Sequence, residues 1–175
     1  RFLSNENQPL KILDVGAGTG IFGEIIRDFF NGSIEYFALE HSPDILNRHH
    51  PRPSIKILGD GALLPFPDDS FDVVLSSFTL HHLPAEKLVP FLIETKRVSG
   101  GFTFHIDFNR NRPTWLTAWV LSRLLSRNPI FHHDGPLSVK RSLNANQWQD
   151  LLRMPGVEEY KQVGCHPLLN YLVYR

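Results

Sequence analysis

The sequence predicts an α/β fold, with a doubly wound, mostly parallel sheet, a closing antiparallel hairpin strand and a helical lid after the fifth strand. Three observations support this fold class. Short apolar runs alternate with segments of helical spacing from residue 10 to residue 107. The first run ends in a glycine-rich turn, and residues 109–142 carry an amphipathic segment in place of a further apolar run. Strands and helices that alternate in this way form right-handed β-α-β units and a parallel sheet.

Hydrophobic spacing defines each element of the first half of the chain. The run KILDV is closed by glycines, which is typical of a buried strand. Apolar residues at 21, 22, 25, 26, 29 and 30 have helical spacing, and Asn31-Gly32 ends that helix. The predicted strands are Lys11–Val15, Ile34–Leu39, Ile55–Leu58, Phe71–Ser76 and Phe102–Asp107, and the predicted helices are Ile21–Phe30, Pro43–His50 and Ala85–Val98.

The second half of the chain follows a different pattern. We predict one amphipathic helix at Thr114–Arg127, a short helix at Gln147–Leu152 and two closing strands at Tyr160–Val163 and Leu169–Tyr174. A length of 175 residues suits one domain. The predicted parts of this single domain, 1–175, are a core at 10–107, a lid at 108–142 and a closing segment at 143–175.

Composition argues against several classes of protein. The chain has 18 Lys and Arg against 18 Asp and Glu, and this zero net charge argues against a general nucleic-acid binder. Hydrophobic residues make up 42%, which excludes an intrinsically disordered chain. The single Cys165 and the lack of an apolar run of about 18 residues lead us to expect a cytoplasmic location. Because the chain starts at Arg1 and its one methionine is Met154, we expect a longer primary translation product.

A glycine-rich turn between the first strand and the first helix is the strongest local signal. Residues 14–20 read DVGAGTG. Glycines let the backbone approach a ligand closely, and the helix N-terminus that follows presents free N–H groups. A purely structural turn is the alternative, although three glycines at alternate positions cost conformational entropy.

Two cofactor classes compete for this turn. Residues 18–23 match the dinucleotide pattern GxGxxG, and Glu40 lies where an acid for the ribose is expected. The register that starts at Gly16, directly after the strand, fails because Ile21 occupies the third glycine position. Asp14 at the strand end would repel a pyrophosphate and attract an ammonium group. An NAD(P)-binding oxidoreductase is therefore kept as an alternative.

The ordered set of motifs resembles class I S-adenosylmethionine-dependent methyltransferases of the small-molecule type, a family with a Rossmann-like sheet. This resemblance implies transfer of a methyl group from S-adenosylmethionine to a small, apolar or aromatic acceptor. It leaves open a methyltransferase-like binding protein without turnover. The segments that carry the resemblance are Lys11–Gly20, Glu40, Gly59–Ala62, Pro65–Val74, Ser76–Leu83 and Val98–Phe102.

The resemblance also implies roles for individual residues. Asp14 would meet the methionine end of the cofactor, Glu40 would accept both ribose hydroxyls and Asp60 would accept the adenine amine. One of the two histidines after the fourth strand would act as a general base if the acceptor must lose a proton. Packing and capping roles stay open for these positions. The implied cofactor-binding residues are Asp14, Gly16, Ala17, Gly18, Thr19, Gly20, Glu40, His41, Asp60, Gly61 and Ser77, and the implied catalytic residues are His81 and His82.

The remaining histidines do not predict a metal site. His132-His133-Asp134 is followed by Gly135-Pro136, an ordinary turn signal, and adjacent histidines do not easily face one ion. The metal-dependent, catechol-type methyltransferases, which resemble this fold, have an acid at strand four and Asp-Asn at strand five. This chain has Ser76-Ser77 and Asp107-Phe108 at those places. We expect Asp107, at a strand end, to line the acceptor site.

The predicted lid is basic and aromatic. Its only acid is Asp134, and its aromatic residues include Trp115, Trp119 and Phe131. We therefore expect an acidic or membrane-partitioned aromatic acceptor and peripheral membrane contact through residues 110–127. An RNA or protein methyltransferase is disfavoured because no long basic face exists outside the lid. The basic residues of the lid are Arg110, Arg112, Arg123, Arg127, Lys140 and Arg141.

Overall fold

The computed structural model describes residues 9–29, 33–48, 55–165 and 167–175, which form a seven-stranded sheet with helices packed around it. The predicted helix ends at Phe30 and at His49–His50 lie outside the described residues. The predicted α/β class is confirmed. The strands are β1 (Leu10–Val15), β2 (Ile34–Glu40), β3 (Ile55–Leu58), β4 (Phe71–Ser77), β5 (Ser99–Phe108), β6 (Lys161–Cys165) and β7 (Leu169–Tyr174). The helices are α1 (Ile21–Phe29), α2 (Pro43–Asn47), α3 (Ala85–Arg97), α4 (Arg112–Leu125), α5 (Pro129–Arg141) and α6 (Ala145–Leu151), with a 3-10 turn at Leu80–His82.

The strand order places a topological switch point in the middle of the sheet. The order is β3-β2-β1-β4-β5-β7-β6, with β7 antiparallel to both neighbours and the remaining pairs parallel. The chain runs outward from β1 through β2 to β3 and then returns to β4 on the other side of β1. Asp14 near the end of β1 therefore lies between Ala38 of β2 and Leu75 of β4. Open α/β sheets bind their ligands at the carboxyl ends of the strands beside such a point.

Alternation along β1 divides the apolar core into two clusters, one on each face of the sheet. Leu13 belongs to the larger cluster, which includes Phe91 of α3 and Trp148 of α6. Ile12 points the other way and packs with Tyr36. All five side chains are 2% exposed or less, and each such burial stabilises the fold by about 1.5–3 kcal/mol. The packing fixes the strand ends that carry the site.

The lid differs from its prediction because it contains two helices where the sequence predicted one. α5 runs through residues 134–136, which the sequence predicted as a turn. Asn128 caps the start of α5 by accepting a backbone N–H, and Pro129 follows at the first helical position, where proline is tolerated. A Cβ added at Gly135 would lie 3.3 Å from the Cβ of Ser122 in α4, so the glycine permits close packing of the two helices. Tertiary packing thus outweighs the local turn signal.

Candidate active site

A cavity of about 720 Å³ opens at the carboxyl edge of the sheet beside the switch point. Its walls come from the turn after β1, the ends of β2 and β3, the residues after β4 and the first half of α3. This volume is that of a site for a drug-sized molecule. The predicted site residues in its lining are Gly16, Ala17, Gly18, Thr19, Glu40, His41, Asp60, Gly61, Ser77 and His82, and those outside the lining are Asp14, Gly20 and His81.

The glycine turn is tied to β2 and leaves space on the cavity side. The amides of Gly16 and Ala17 donate to the carbonyl oxygen of Leu39 at 2.8 and 3.0 Å. Gly18 has a φ of +57°, in the left-handed region that disfavours a side chain. A Cβ added there would meet no atom within 4 Å, so protein packing alone does not require a glycine. The left-handed backbone conformation and the open space for a ligand together explain why position 18 is a glycine.

Glu40 joins the glycine turn to the start of α2. Its Oε2 accepts the Gly18 N–H at 3.0 Å, and its Oε1 accepts the amides of His41 and Ser42 at 2.9 and 3.0 Å. A carboxylate has about four lone-pair positions, so these three bonds hold the group in place and leave it able to accept a further donor. Glu40 is therefore oriented before any ligand arrives.

Asp14 lies in the core and not in the cavity lining. Its side chain is fully buried, and its Oδ2 accepts the hydroxyl of Tyr36, which packs against Gly23 of α1. The Asp14 Oδ1 has no hydrogen-bond partner. Burial raises the pKa of Asp14 to about 7, and it raises the pKa of Tyr36 as well. The sequence predicted Asp14 at the methionine end of a cofactor, whereas the structure places its carboxyl group beside α1.

Asp60 lines the cavity but already has two partners. Its Oδ1 accepts the Ala62 N–H at 3.0 Å, and its Oδ2 pairs with Lys87 Nζ at 2.5 Å. The bond from Lys87 is the main reason that the pKa of Asp60 is lowered. Next to it, a Cβ at Gly61 would come within 2.7 Å of Phe91 and Val15 atoms, so only glycine fits at this point of the wall. Lys87 also lines the cavity, and no motif in the sequence pointed to it.

The segment after β4 carries backbone strain at the cavity wall. Phe78 has a φ of +54°, which costs a non-glycine residue about 1–2 kcal/mol. Its amide donates to the Ile106 carbonyl at 2.8 Å, and its ring lies 4.7 Å from the ring of Phe108. These contacts with β5 offset the strain. They also place an aromatic face next to Ser77 at the end of the strand.

The two predicted catalytic histidines face different cavities. His82 lines the 720 Å³ cavity, and partial burial and the neighbouring His81 lower its pKa below the ordinary value of 6.5. His81 is buried, and its Nδ1 lies 2.8 Å from Oδ1 of Asp107. His81 and Asp107 line a second cavity of about 220 Å³. The two imidazole rings nevertheless lie 4.1 Å apart, so one turn of chain separates the cavities.

His105 has no access to either cavity. It is 1% exposed, and its Nδ1 lies 2.8 Å from Oγ of Ser76. Burial lowers the pKa of His105 to about 3, so this imidazole is neutral. His105 and Ser76 are thus part of the packing between β4 and β5. Within the described ranges, no group of three or more His, Cys, Asp or Glu side chains is arranged to hold a metal ion.

Comparison with known proteins assigns the family. A family model described as a methyltransferase domain matches residues 13–104, which is more than half of the chain. The chain belongs to this methyltransferase family. The assignment confirms the resemblance seen in the ordered motifs, and it supports S-adenosylmethionine as the cofactor.

Individual relatives match over part of their length. An uncharacterized methyltransferase of Mycobacterium tuberculosis is 36% identical over 77 residues, which cover 42% of this chain and 29% of the relative. A demethylmenaquinone methyltransferase of Renibacterium salmoninarum is 39% identical over 103 residues, or 57% of this chain and 41% of the relative. The crystal structure of plantazolicin methyltransferase, in complex with a substrate analogue and SAH, has a TM-score of 0.71 at 15% identity. That match covers 98% of this methyltransferase chain and 79% of the solved one, and it shows a shared fold.

Proposed function

We propose that this chain transfers a methyl group from S-adenosylmethionine to a small apolar or aromatic acceptor. The observation that carries the proposal is the 720 Å³ cavity at the switch point, in which Glu40 is already oriented by the Gly18 amide. When bound, the cofactor supplies a methyl group that is already electrophilic, because the sulfur that carries it is positively charged. The residues of the chain then have to bind the cofactor and the acceptor, align them and exclude water.

The cavity residues fit the three parts of the cofactor. Glu40 retains acceptor capacity for ribose hydroxyls at the end of β2. Gly61 lines the cavity with its backbone next to Asp60, which supplies an acceptor there for an exocyclic amine. Gly18 leaves open space next to the N-terminus of α1 for the amino-acid end. No cation of the chain other than Lys87 lines the cavity among the described residues, which suits a cationic cofactor.

His82 is the residue placed to accept a proton from an acceptor. It lies in the lining of the cavity, and its lowered pKa leaves the imidazole neutral near pH 7, with a free lone pair. His81 supports the same wall through its contact with the His82 ring at 4.1 Å. A hydroxyl acceptor would therefore lose its proton to His82 as the new bond to carbon forms. An acceptor that has no proton to lose would not need this residue.

The direct test is calorimetric titration followed by a transfer assay. S-adenosylmethionine or its demethylated product should bind in the micromolar range, and NAD should not. Radiolabelled methyl should then pass from S-adenosylmethionine to members of a panel of small aromatic acceptors. Tight binding of NAD without binding of S-adenosylmethionine would refute the proposal in favour of an oxidoreductase. Cofactor binding without transfer to any acceptor would favour the non-catalytic alternative.

We also propose that α4 contacts an anionic membrane surface, because its outer face is both apolar and basic. Leu116 and Leu124 of α4 are 55% and 75% exposed, Arg123 precedes Leu124 in the same helix, and Arg127 follows the helix end. No acidic residue occurs from 108 to 133. Amphipathic helices of this kind lie in the plane of the interface. Among the residues that the structure describes, no helix is both long enough and apolar enough to cross a bilayer.

Vesicle sedimentation tests the membrane contact. The protein should bind phosphatidylcholine vesicles that contain phosphatidylglycerol and should remain in solution with phosphatidylcholine alone. Leu124→Glu should reduce binding, whereas Leu63→Glu, at a 76% exposed leucine outside the lid, should not. Equal sedimentation with both vesicle types, or equal effects of the two variants, would contradict the contact.

A further inference from the structure

The second cavity, of about 220 Å³, lies on the far side of the His81–His82 turn from the cofactor cavity. Leu83 lines both cavities, so the wall between them is a single turn of chain. The other walls of the second cavity come from the end of β5, the C-terminal end of α5 and the segment that enters α6. Apart from the end of β5, these walls are parts of the lid and of the closing segment, and none of them lines the larger cavity.

A buried histidine–carboxylate pair forms one side of this cavity. The side chains of His81 and Asp107 are 2% and 1% exposed. Asp107 receives three N–H groups, from the backbone of His81 at 2.9 Å, from His81 Nδ1 at 2.8 Å and from the backbone of Phe108 at 2.7 Å. A carboxylate that receives three donors is satisfied and fixed. These bonds occupy the acceptor positions of Asp107 but do not cancel its charge, because backbone amides and an imidazole N–H are neutral donors.

Two arginines form the opposite side. The guanidinium of Arg110 is positioned by the Lys140 carbonyl at 3.2 Å and by Oε1 of Gln147 at 2.6 Å, both of which are neutral acceptors. The side chain of Arg141 has no hydrogen-bond or ion-pair partner among the described residues. The lining thus carries two arginines against one carboxylate, that of Asp107, whose acceptor positions are already occupied. A planar guanidinium binds a carboxylate through two parallel N–H bonds.

We propose that the second cavity binds the carboxylate of a small organic acid, with Arg141 as its main contact and Arg110 as its second. The proposal does not depend on the proposed methyl transfer, because the His81–His82 turn separates this cavity from the larger one. Arg141 lies at the C-terminal end of α5, and Arg110 follows β5, so the lid supplies the recognition.

Matched pairs of probes test the proposal. The affinities of 4-hydroxybenzoate and 4-hydroxybenzamide would be measured by NMR titration, with and without the demethylated cofactor. The carboxylate should bind at least about 10-fold more tightly than the amide, since a charged hydrogen-bonded pair contributes roughly 1.5–3 kcal/mol. Arg141→Gln should abolish this preference, and Arg141→Lys should retain part of it. Arg123→Gln, on the outer face of α4, should leave the preference unchanged.

The outcomes separate this proposal from the proposed function. Equal binding of acid and amide to the unmodified protein would overturn the carboxylate site. So would an equal loss of preference in the Arg123→Gln and Arg141→Gln variants, or binding of inorganic phosphate in place of the benzoate. If the chain failed to bind the demethylated cofactor but kept the acid preference, the proposed methyl transfer would fail and the carboxylate site would stand.

Discussion

The two cavities of this molecule differ in the groups that form their walls. The larger cavity is shaped by backbone turns at the ends of β1, β2 and β3, and its carboxylates, Glu40 and Asp60, are both held by hydrogen bonds. The smaller cavity is lined by side chains of the core, the lid and the closing segment, and its cations are Arg110 and Arg141. The charge of the chain divides in the same way. Residues 1–99 hold 9 basic and 13 acidic side chains, and residues 100–175 hold 9 and 5.

This difference suggests how the two ligands are separated. A cationic cofactor would be drawn to the acidic half, and the proposed carboxylate ligand would be drawn to the basic half, because opposite charges lower the energy of approach over about a Debye length. The His81–His82 turn stands between them. A zero net charge therefore conceals a division of the molecule into two regions of opposite sign.

Gly18→Val should have the largest effect on cofactor binding. The valine would adopt an unfavourable φ and project into the open space of the cavity, so binding of S-adenosylmethionine should become undetectable by calorimetry. The fold should survive, because no protein atom lies within 4 Å of the added Cβ. Circular dichroism and thermal unfolding would confirm this survival. Unchanged affinity would show that the turn has only a structural role.

The buried Asp14 should make stability depend on pH. Unfolded Asp14 loses its proton near pH 3.8, whereas the folded group keeps it to about pH 7, so the unfolded state binds fewer protons within this window. The free energy of unfolding should therefore fall as pH rises through it, by at most ~4 kcal/mol. Asp14→Asn should remove this slope while retaining an acceptor for the Tyr36 hydroxyl. Urea unfolding at pH 4, 5.5 and 7.5 gives the free energy of unfolding of both proteins. The same pH dependence in both would contradict the raised pKa of Asp14.

Glu40→Gln should weaken cofactor binding by about 1–3 kcal/mol, as expected for loss of a charged hydrogen-bond acceptor. The side-chain amide of glutamine has only one acceptor oxygen, so it cannot accept the amides of Gly18, His41 and Ser42 as well as a ribose hydroxyl. Glu86→Gln, an exposed position on α3, is the matched control and should leave the affinity as it is. Calorimetric titration of both variants gives the comparison. Equal affinities would remove Glu40 from the site.

Lys87→Gln should have the smallest effect on the affinity for S-adenosylmethionine, and it should raise that affinity. The Lys87–Asp60 pair is partly exposed, with side chains 43% and 34% accessible, so its own contribution is about 0.2–1 kcal/mol. Without the lysine, Asp60 is released for an incoming amine and a positive charge leaves the cavity. Affinity for S-adenosylmethionine should rise by up to about 5-fold, in line with that energy. A fall in affinity would show that Lys87 itself contacts the ligand.

Part of the 720 Å³ cavity is visible in the sequence because a tight glycine-rich turn constrains residue types locally. The glycines at 16 and 18 and the acid at the end of β2 form short patterns at fixed spacing, and all three residues line the cavity. The parallel sheet follows from the alternation of elements. The bond between Asp14 and Tyr36 could not be predicted, because spacing along a strand fixes the face but not the partner, and Tyr36 lies 22 residues away.

Other features left weaker signals because they depend on packing between distant elements. The Gly135-Pro136 pair indicated a turn, yet the fit of Gly135 against Ser122 favours a helix there. Lys87 and Arg141 are ordinary basic residues in sequence, and only the fold places them beside Asp60 and in the second cavity. Residues whose role is set by long-range contacts carry no local pattern to detect.

A crystal structure with the demethylated cofactor tests the central claim most directly. The account predicts the ribose hydroxyls within hydrogen-bond distance of Glu40, the purine beside Gly61 and the open side of the sulfur toward His82. The second cavity should remain free of cofactor atoms. Cofactor bound elsewhere, or a ribose with no contact to Glu40, would contradict the account.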